Sequence, residues 1–283
     1  MSKMGYIRII RPSSCIMVSL ISVIGQAFAL GRTPELFTAI PAFLTGFFMT
    51  GSSFSINDYI DHEIDSINTP WRPIPSGLIT RDEALRIGIV LGLSGSIISL
   101  FTTPPASIVA IGALLFSILY TLKGKYLGIL GHIMVAISIS STFIFGALTI
   151  MQNITPFLFG LFVISFLFVL GGEVTQSIAD IEGDKAKGKR SIAILNGCKV
   201  TSIVATICFI LTALAGATTS YFYGNGIGTY SIPIIIGTII ITSFITLPLL
   251  RNPNKDTAIK TRKRINYLAY LIIFVLLISS LVS

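Results

Sequence analysis

Asn57, Asp58, Asp61 and Asp65 stand together at the end of one long apolar run, and Glu173, Gln176, Asp180 and Asp184 stand at the end of another. On a helix, Asn57, Asp61 and Asp65 occupy positions i, i+4 and i+8 and share one stripe. Glu173, Asp180 and Asp184 fall within a similarly narrow sector. Like charges one turn apart destabilise a helix unless a cation neutralises them. A hard divalent ion meets that need, because Mg²⁺ takes one or two carboxylates together with phosphate oxygens. Two such stripes facing each other suit more than one ion held against a diphosphate.

The acids are not scattered as loop solvation would scatter them. Of twelve Asp and Glu residues, ten lie in three short patches: Asp58 to Asp65, Asp82 with Glu83, and Glu173 to Asp184. Asp58, Glu63 and Glu182 fall off the stripes and read as solvated side chains. Asp82 and Glu83 follow Thr80 and suit the first turn of a helix, where acids complement its dipole. Neither His62, off the stripe, nor His132, opening an apolar run, reads as a general base. Cys15, Cys198 and Cys208 lack metal-ligand spacing and read as small buried hydrophobes.

The elements that must position the stripes come from the apolar runs. The chain of 283 residues is 53% hydrophobic and 11% charged, a balance that excludes an ordinary soluble domain of this size. Its apolar runs are of bilayer-spanning length and show no period-two alternation, which selects helices over a barrel. The expected fold is all-α: a polytopic membrane protein of about nine transmembrane helices with a cytoplasmic-side active-site cap. The spans are expected near 13 to 31, 36 to 56, 82 to 101, 105 to 122, 129 to 150, 155 to 179, 199 to 222, 231 to 250 and 265 to 282. Pro104 with Pro105, the stretch Gln152 to Pro156, and Gly224 to Gly228 punctuate the short connections. Nineteen of the twenty Lys and Arg residues then fall on one face, leaving Arg32 opposite. The excess of basic residues marks the cytoplasmic side, so the N-terminus and the acidic stripes are expected in the cytoplasm and the C-terminus outside. The net charge of +8 follows from that topology and gives no reason to expect a nucleic-acid partner.

The run Asn57-Asp-x-x-Asp61-x-x-x-Asp65, continued by Asn68-Thr-Pro-Trp-Arg72-Pro-Ile-Pro-Ser-Gly77, resembles the first signature of the UbiA family of intramembrane prenyltransferases. Glu173 to Asp184 resembles the second, with a departure: many members carry three acids at four-residue intervals, whereas this chain has Gln176, Asp180 and Asp184, with Glu173 one turn earlier. Gln176 still offers a carbonyl oxygen. Members also carry a Tyr-x-x-x-Lys element after the fourth helix. Here Tyr120 is followed by Lys123 and Lys125 with Gly124 at the expected place, and Lys123 is the favoured substitute. The similarity extends over nearly the whole chain and implies one transmembrane prenyltransferase domain over residues 1–283. The wording around Asp61 and Asp184 is most like the branch that makes the second ether bond of archaeal membrane lipids.

The resemblance implies an isoprenoid diphosphate donor, a lipid phosphate acceptor, Mg²⁺ and a bilayer setting. Asn57, Asp61, Asp65, Asp180 and Asp184 would hold two Mg²⁺ ions. Arg72, Lys123 and Lys185 would contact diphosphate oxygens, and Tyr120 would lend its hydroxyl or its ring face to the reacting end. Arg8 or Arg11, beside the first span, is expected to supply the cation for the acceptor's phosphate; Glu173 and Gln176 are expected at the substrate, with either one open to the metal. Gly46, Gly51, Gly92, Gly95, Gly171 and Gly172 suit close helix packing or room for a prenyl chain. Prenylation of an aromatic quinone precursor is the rival within the family. A cation transporter is the rival outside it, but transport sites lie near the bilayer midplane rather than at helix ends.

Overall fold

The protein was analysed as a computed structural model, which describes residues 3–150, 153–186, 188, 190–223, 240 and 242–282. The described residues are helical, with no strand among them. In order they form α1 (Lys3–Ile10), α2 (Pro12–Leu30), α3 (Leu36–Asn68), α4 (Arg81–Ser99), α5 (Pro104–Leu122), α6 (Ile129–Leu148), α7 (Pro156–Ala179), α8 (Ile181–Ala186), α9 (Ile192–Tyr223), α10 (Leu247–Arg251) and α11 (Lys255–Val282). A 3₁₀ turn, Gly124–Tyr126, follows α5, and a π turn, Thr242–Thr246, precedes α10. Among the described helices, α2, α3, α5, α6, α7 and α9 are long and apolar enough to cross a membrane. Half of the eighth expected span, and the expected turn Gly224 to Gly228, lie outside the described residues.

Local chemistry sets the helix ends. Thr103 and Thr155 accept from the backbone N–H three residues on and are followed by Pro104 and Pro156, whose missing N–H costs nothing in a first turn. Thr80 and Glu83 form a reciprocal capping box at the start of α4. Three boundaries differ from expectation. α9 begins at Ile192 rather than near residue 199, its first turn joined across the non-helical Gly197. α3 does not stop near residue 56 but runs 33 residues, about 50 Å, carrying the first acidic cluster on its last three turns. α11 begins ten residues early, because its charged opening turns are helical as well.

In lipid, helices associate through close packing rather than water exclusion, and small residues permit it. α2 and α6 meet where a Cβ at Gly146 would lie 2.0 Å from the Ser22 carbonyl oxygen, and one at Gly25 would lie 2.6 Å from that of Phe143. Gly92 and Gly95 sit similarly against Ser52 and Met49, bringing α4 onto α3. α7 packs along α9, and α11 closes against α2 and α7. Apolar side chains from α2, α6, α7 and α11 form one buried cluster, including Ile24, Phe143, Leu158 and Leu276. α2, α3, α5, α6, α7 and α11 thereby surround a cavity of about 1050 Å³.

Candidate active site

The two acidic clusters come together at one end of this helical ring. Asn57, Asp61 and Asp65 from α3, Tyr120 from α5, Gln176 from α7, and Asp180 and Asp184 at α8 line a polar pocket of about 180 Å³. Helical continuation of α3 is what keeps its three side chains on one wall. The second stripe is interrupted: α7 ends at Ala179, and Asp180 caps it with non-helical angles. The Asp184 N–H still bonds the Asp180 carbonyl at 3.0 Å, so the turn carries on into α8. α8 packs against α3, which closes the distance between the clusters.

Cations already occupy this pocket. Arg72 Nη1 donates to Asp65 Oδ2 at 2.5 Å and to Asp58 Oδ1 at 3.2 Å. The loop that carries Arg72 folds back because Arg72 N–H bonds the Thr69 carbonyl, Ser76 N–H bonds that of Arg72, and Gly77 takes a positive φ of 72°. Ile79 at its end is buried with Ile9 of α1, which anchors the loop over the site. Burial works against the charge of Arg72, but Asp58 and Asp65 outweigh it and hold the guanidinium above its ordinary pKa.

Asp58 overturns the solvated reading. It is the most buried acid of the cluster, 2% exposed, and Arg11 Nη2 donates at 2.5 Å to the same Oδ1 that Arg72 reaches. Arg11 also lies 4.5 Å over the Phe54 ring. Its backbone, at φ 54°, is the single non-glycine left-handed residue among those described, a conformation that costs about 1–2 kcal/mol and is set by the joint between α1 and α2. Glu63 and Glu182 are exposed, as expected.

The lysine expectation is corrected. Lys123 is exposed at the end of α5, whereas Lys125 is 5% exposed, bonds Asp61, and stands 5.9 Å from the Tyr120 ring centroid. A Cβ at Gly124 would meet the Tyr120 ring at 2.8 Å and Met134 Sδ at 2.9 Å. No side chain fits there, so the turn tucks beneath Tyr120 and delivers the next residue instead. Lys185 is also exposed and lines neither cavity, contrary to expectation.

Glu173 and Gln176 separate. Gln176 lines the polar pocket and donates its amide to Asp180 Oδ2 at 2.9 Å. Glu173 faces the large cavity and accepts from Arg262 Nη2 at 3.2 Å. Arg72, Asn57, Tyr120, Gln176 and Asp180 border both the polar mouth and the cavity, whose apolar interior is walled by Met17, Val109, Phe143, Leu161 and Ile273; Arg11 lines the cavity alone. Gly46 is the one expected small residue that lines the cavity; Gly51, Gly92, Gly95, Gly171 and Gly172 serve close contacts.

Among the described residues, no three His, Cys, Asp or Glu side chains are grouped closely enough to share an ion as they stand. The donor set nonetheless suits a hard divalent ion: four carboxylates and an amide oxygen around a polar space, with Asp61 and Asp65 each already serving a cation.

A model of the UbiA prenyltransferase family matches residues 18–279. The chain belongs to the UbiA prenyltransferase family. As a UbiA prenyltransferase it is 33% identical over 277 residues to the digeranylgeranylglyceryl phosphate synthase of Thermococcus sibiricus, covering 98% of this chain and 97% of that protein. It is 34% identical over 262 residues to the protein of the same name from Methanosphaera stadtmanae, covering 91% and 92%. A solved structure concerned with digeranylgeranylglyceryl phosphate synthase in membranes superposes with a TM-score of 0.75 at 29% identity, over 99% of both chains. A UbiA homolog from Archaeoglobus fulgidus bound to DMAPP and Mg²⁺ shares the fold, with a TM-score of 0.79 at 18% identity over 97% of this chain and 98% of that one.

Proposed function

We propose that this UbiA prenyltransferase moves a geranylgeranyl group from geranylgeranyl diphosphate to the free hydroxyl of geranylgeranylglyceryl phosphate, forming an ether at the cytoplasmic face of a nine-span bundle. The observation that carries this reading is the meeting of both acidic clusters in one polar pocket at the mouth of a large apolar cavity. Near-full-length likeness to proteins named digeranylgeranylglyceryl phosphate synthase supports the choice of acceptor. The cavity, at about 1050 Å³, is at the upper limit of ordinary small-molecule pockets, as long isoprenoid chains require.

Asn57, Asp61, Asp65, Asp180 and Asp184 would hold Mg²⁺. When bound, the ions supply Lewis-acid neutralisation of the departing diphosphate. Arg72 and Lys125, now on carboxylates, exchange them for diphosphate oxygens and stabilise the charge that develops as the allylic C–O bond breaks. The Tyr120 ring borders the same space and offers its face to the allylic cation. Apolar walls hold the chain and keep water from competing for the cation. The acceptor oxygen then forms the new C–O bond and its proton passes to the released diphosphate, which leaves as the second product. Nineteen basic residues toward one face support the cytoplasmic orientation, with the C-terminus outside.

The test offers the purified protein geranylgeranyl diphosphate with either geranylgeranylglyceryl phosphate or 4-hydroxybenzoate, with and without Mg²⁺. Ether product from the lipid alone, abolished by chelation, is expected. Transfer to the aromatic acceptor, or turnover indifferent to chelation, would overturn the reading.

A further inference from the structure

The proposed reaction brings two anions into one cavity, and the acidic pocket with Arg72 and Lys125 accounts for only the diphosphate. The geometry points to Arg262 of α11, which reaches α7 at Glu173 before the acidic pocket begins, as the receptor for the acceptor's phosphate, with Asn266 on the same helix. This rests on the reading under Proposed function and adds to it the residues that choose a phosphorylated acceptor.

Arg262 and Asn266 are four residues apart on α11, hence on one face a turn apart, and both line the large cavity. The guanidinium lies against the backbone of α7 where Gly172 leaves it room: a Cβ there would stand 2.6 Å from Arg262 Nη1. In that place it donates to Glu173 at 3.2 Å and is 29% exposed, so it remains open to a ligand entering the cavity. Arg11 is the rival cation and is equally exposed, but its acid, Asp58, is almost fully buried and holds it at 2.5 Å, out of a ligand's reach. Glu173 is itself at the cavity and partly exposed, so a phosphate can take its place on the planar fork of Arg262.

Distance supports the assignment. Glu173 lies seven residues before Asp180 on α7, about 10 Å along the axis. The acceptor's hydroxyl must reach the carbon leaving the diphosphate, and on a glycerol its phosphate is only a few bonds from that hydroxyl. The three-carbon backbone covers only part of that distance; the diphosphate and its leaving carbon, reaching from the acid cluster into the cavity, cover the rest. Arg262 thus positions the acceptor by its phosphate while taking no part in the bond change.

Steady-state kinetics on the full-length protein with Mg²⁺ test this, varying geranylgeranyl diphosphate, geranylgeranylglyceryl phosphate, and the phosphate-free geranylgeranylglycerol in turn. Arg262→Gln is expected to raise KM for the phosphorylated acceptor roughly tenfold or more, as loss of a charge-assisted pair does. KM for the donor should hold, and the phosphate-free acceptor should be used equally by both proteins. Gly172→Ala keeps the arginine but displaces its guanidinium, and should give the same selective rise even if Arg262→Gln does not fold. An unchanged acceptor KM in either folded variant, or an equal loss with both acceptors, overturns the site alone. A wild-type protein that ignores both glycerol acceptors overturns the underlying reading, and the site with it.

Discussion

At the residue scale, function turns on which cations reach the pocket. Lys125→Ala should lower kcat/KM for the diphosphate about a hundredfold, the scale of losing one preorganised charge donor, while Lys123→Ala stays near wild type. Equal losses in the two variants would mean that Lys125 has no special place at the diphosphate. Asp58→Ala is expected to act on the fold as well as on turnover. It leaves Arg11 and Arg72 facing a buried space without their shared acid, at a cost of about 3–5 kcal/mol, measurable as a lowered melting temperature in detergent. The stripes were legible in the sequence because helical spacing alone aligns Asn57, Asp61 and Asp65. Asp58 was not, since a stripe argument assumes one polar face, whereas α3 meets α1 and the Arg72 loop on a second. Arg262 was hidden among nineteen charges that topology already explained, and only its i, i+4 pairing with Asn266 hinted at a cavity face.

At the element scale, caps and small residues fix where the site-bearing segments lie. Thr80→Ala removes the capping box of α4 and should cost about 1 kcal/mol of stability with kcat unchanged, since Thr80 borders no part of the pocket. A loss of activity without a loss of stability would contradict that. Gly146→Ala drives a Cβ into the Ser22 carbonyl and should cost about 3 kcal/mol or more, because neither backbone can retreat. Gly112→Ala on α5, where nothing lies within 4 Å, should not lower the melting temperature. Apolar runs located α2, α5, α6 and α7 within a few residues. They misplaced the end of α3 and the starts of α9 and α11, because hydropathy reports where lipid ends, and these helices continue beyond it. The 3₁₀ turn after α5 left no hydropathy signal, although Gly124 between two lysines marked a place where only a bare backbone fits.

At the scale of the whole molecule, the fold is a ring of helices around an apolar chamber, with its charge gathered at one mouth. Order within the ring was readable as a succession of spans; which helices face each other was not, since that follows from carbonyl-to-glycine contacts such as α2 with α6. The mouth holds its own counter-ions before any ligand arrives: Lys125 rests on Asp61, and Arg72 on Asp65. A site whose Asp61 and Asp65 already hold cations when empty gains little from a metal alone, which must evict those cations, or from a diphosphate alone, which must draw them from their acids. Together the two ligands exchange partners with the resting pairs and leave the balance of charge nearly unchanged. Their binding should therefore be strongly cooperative, each raising the affinity of the other by the same factor. Calorimetric titration of Mg²⁺ with and without a non-ionising diphosphate analogue measures that factor, and a value near one would mean the resting pairs do not stand in the way.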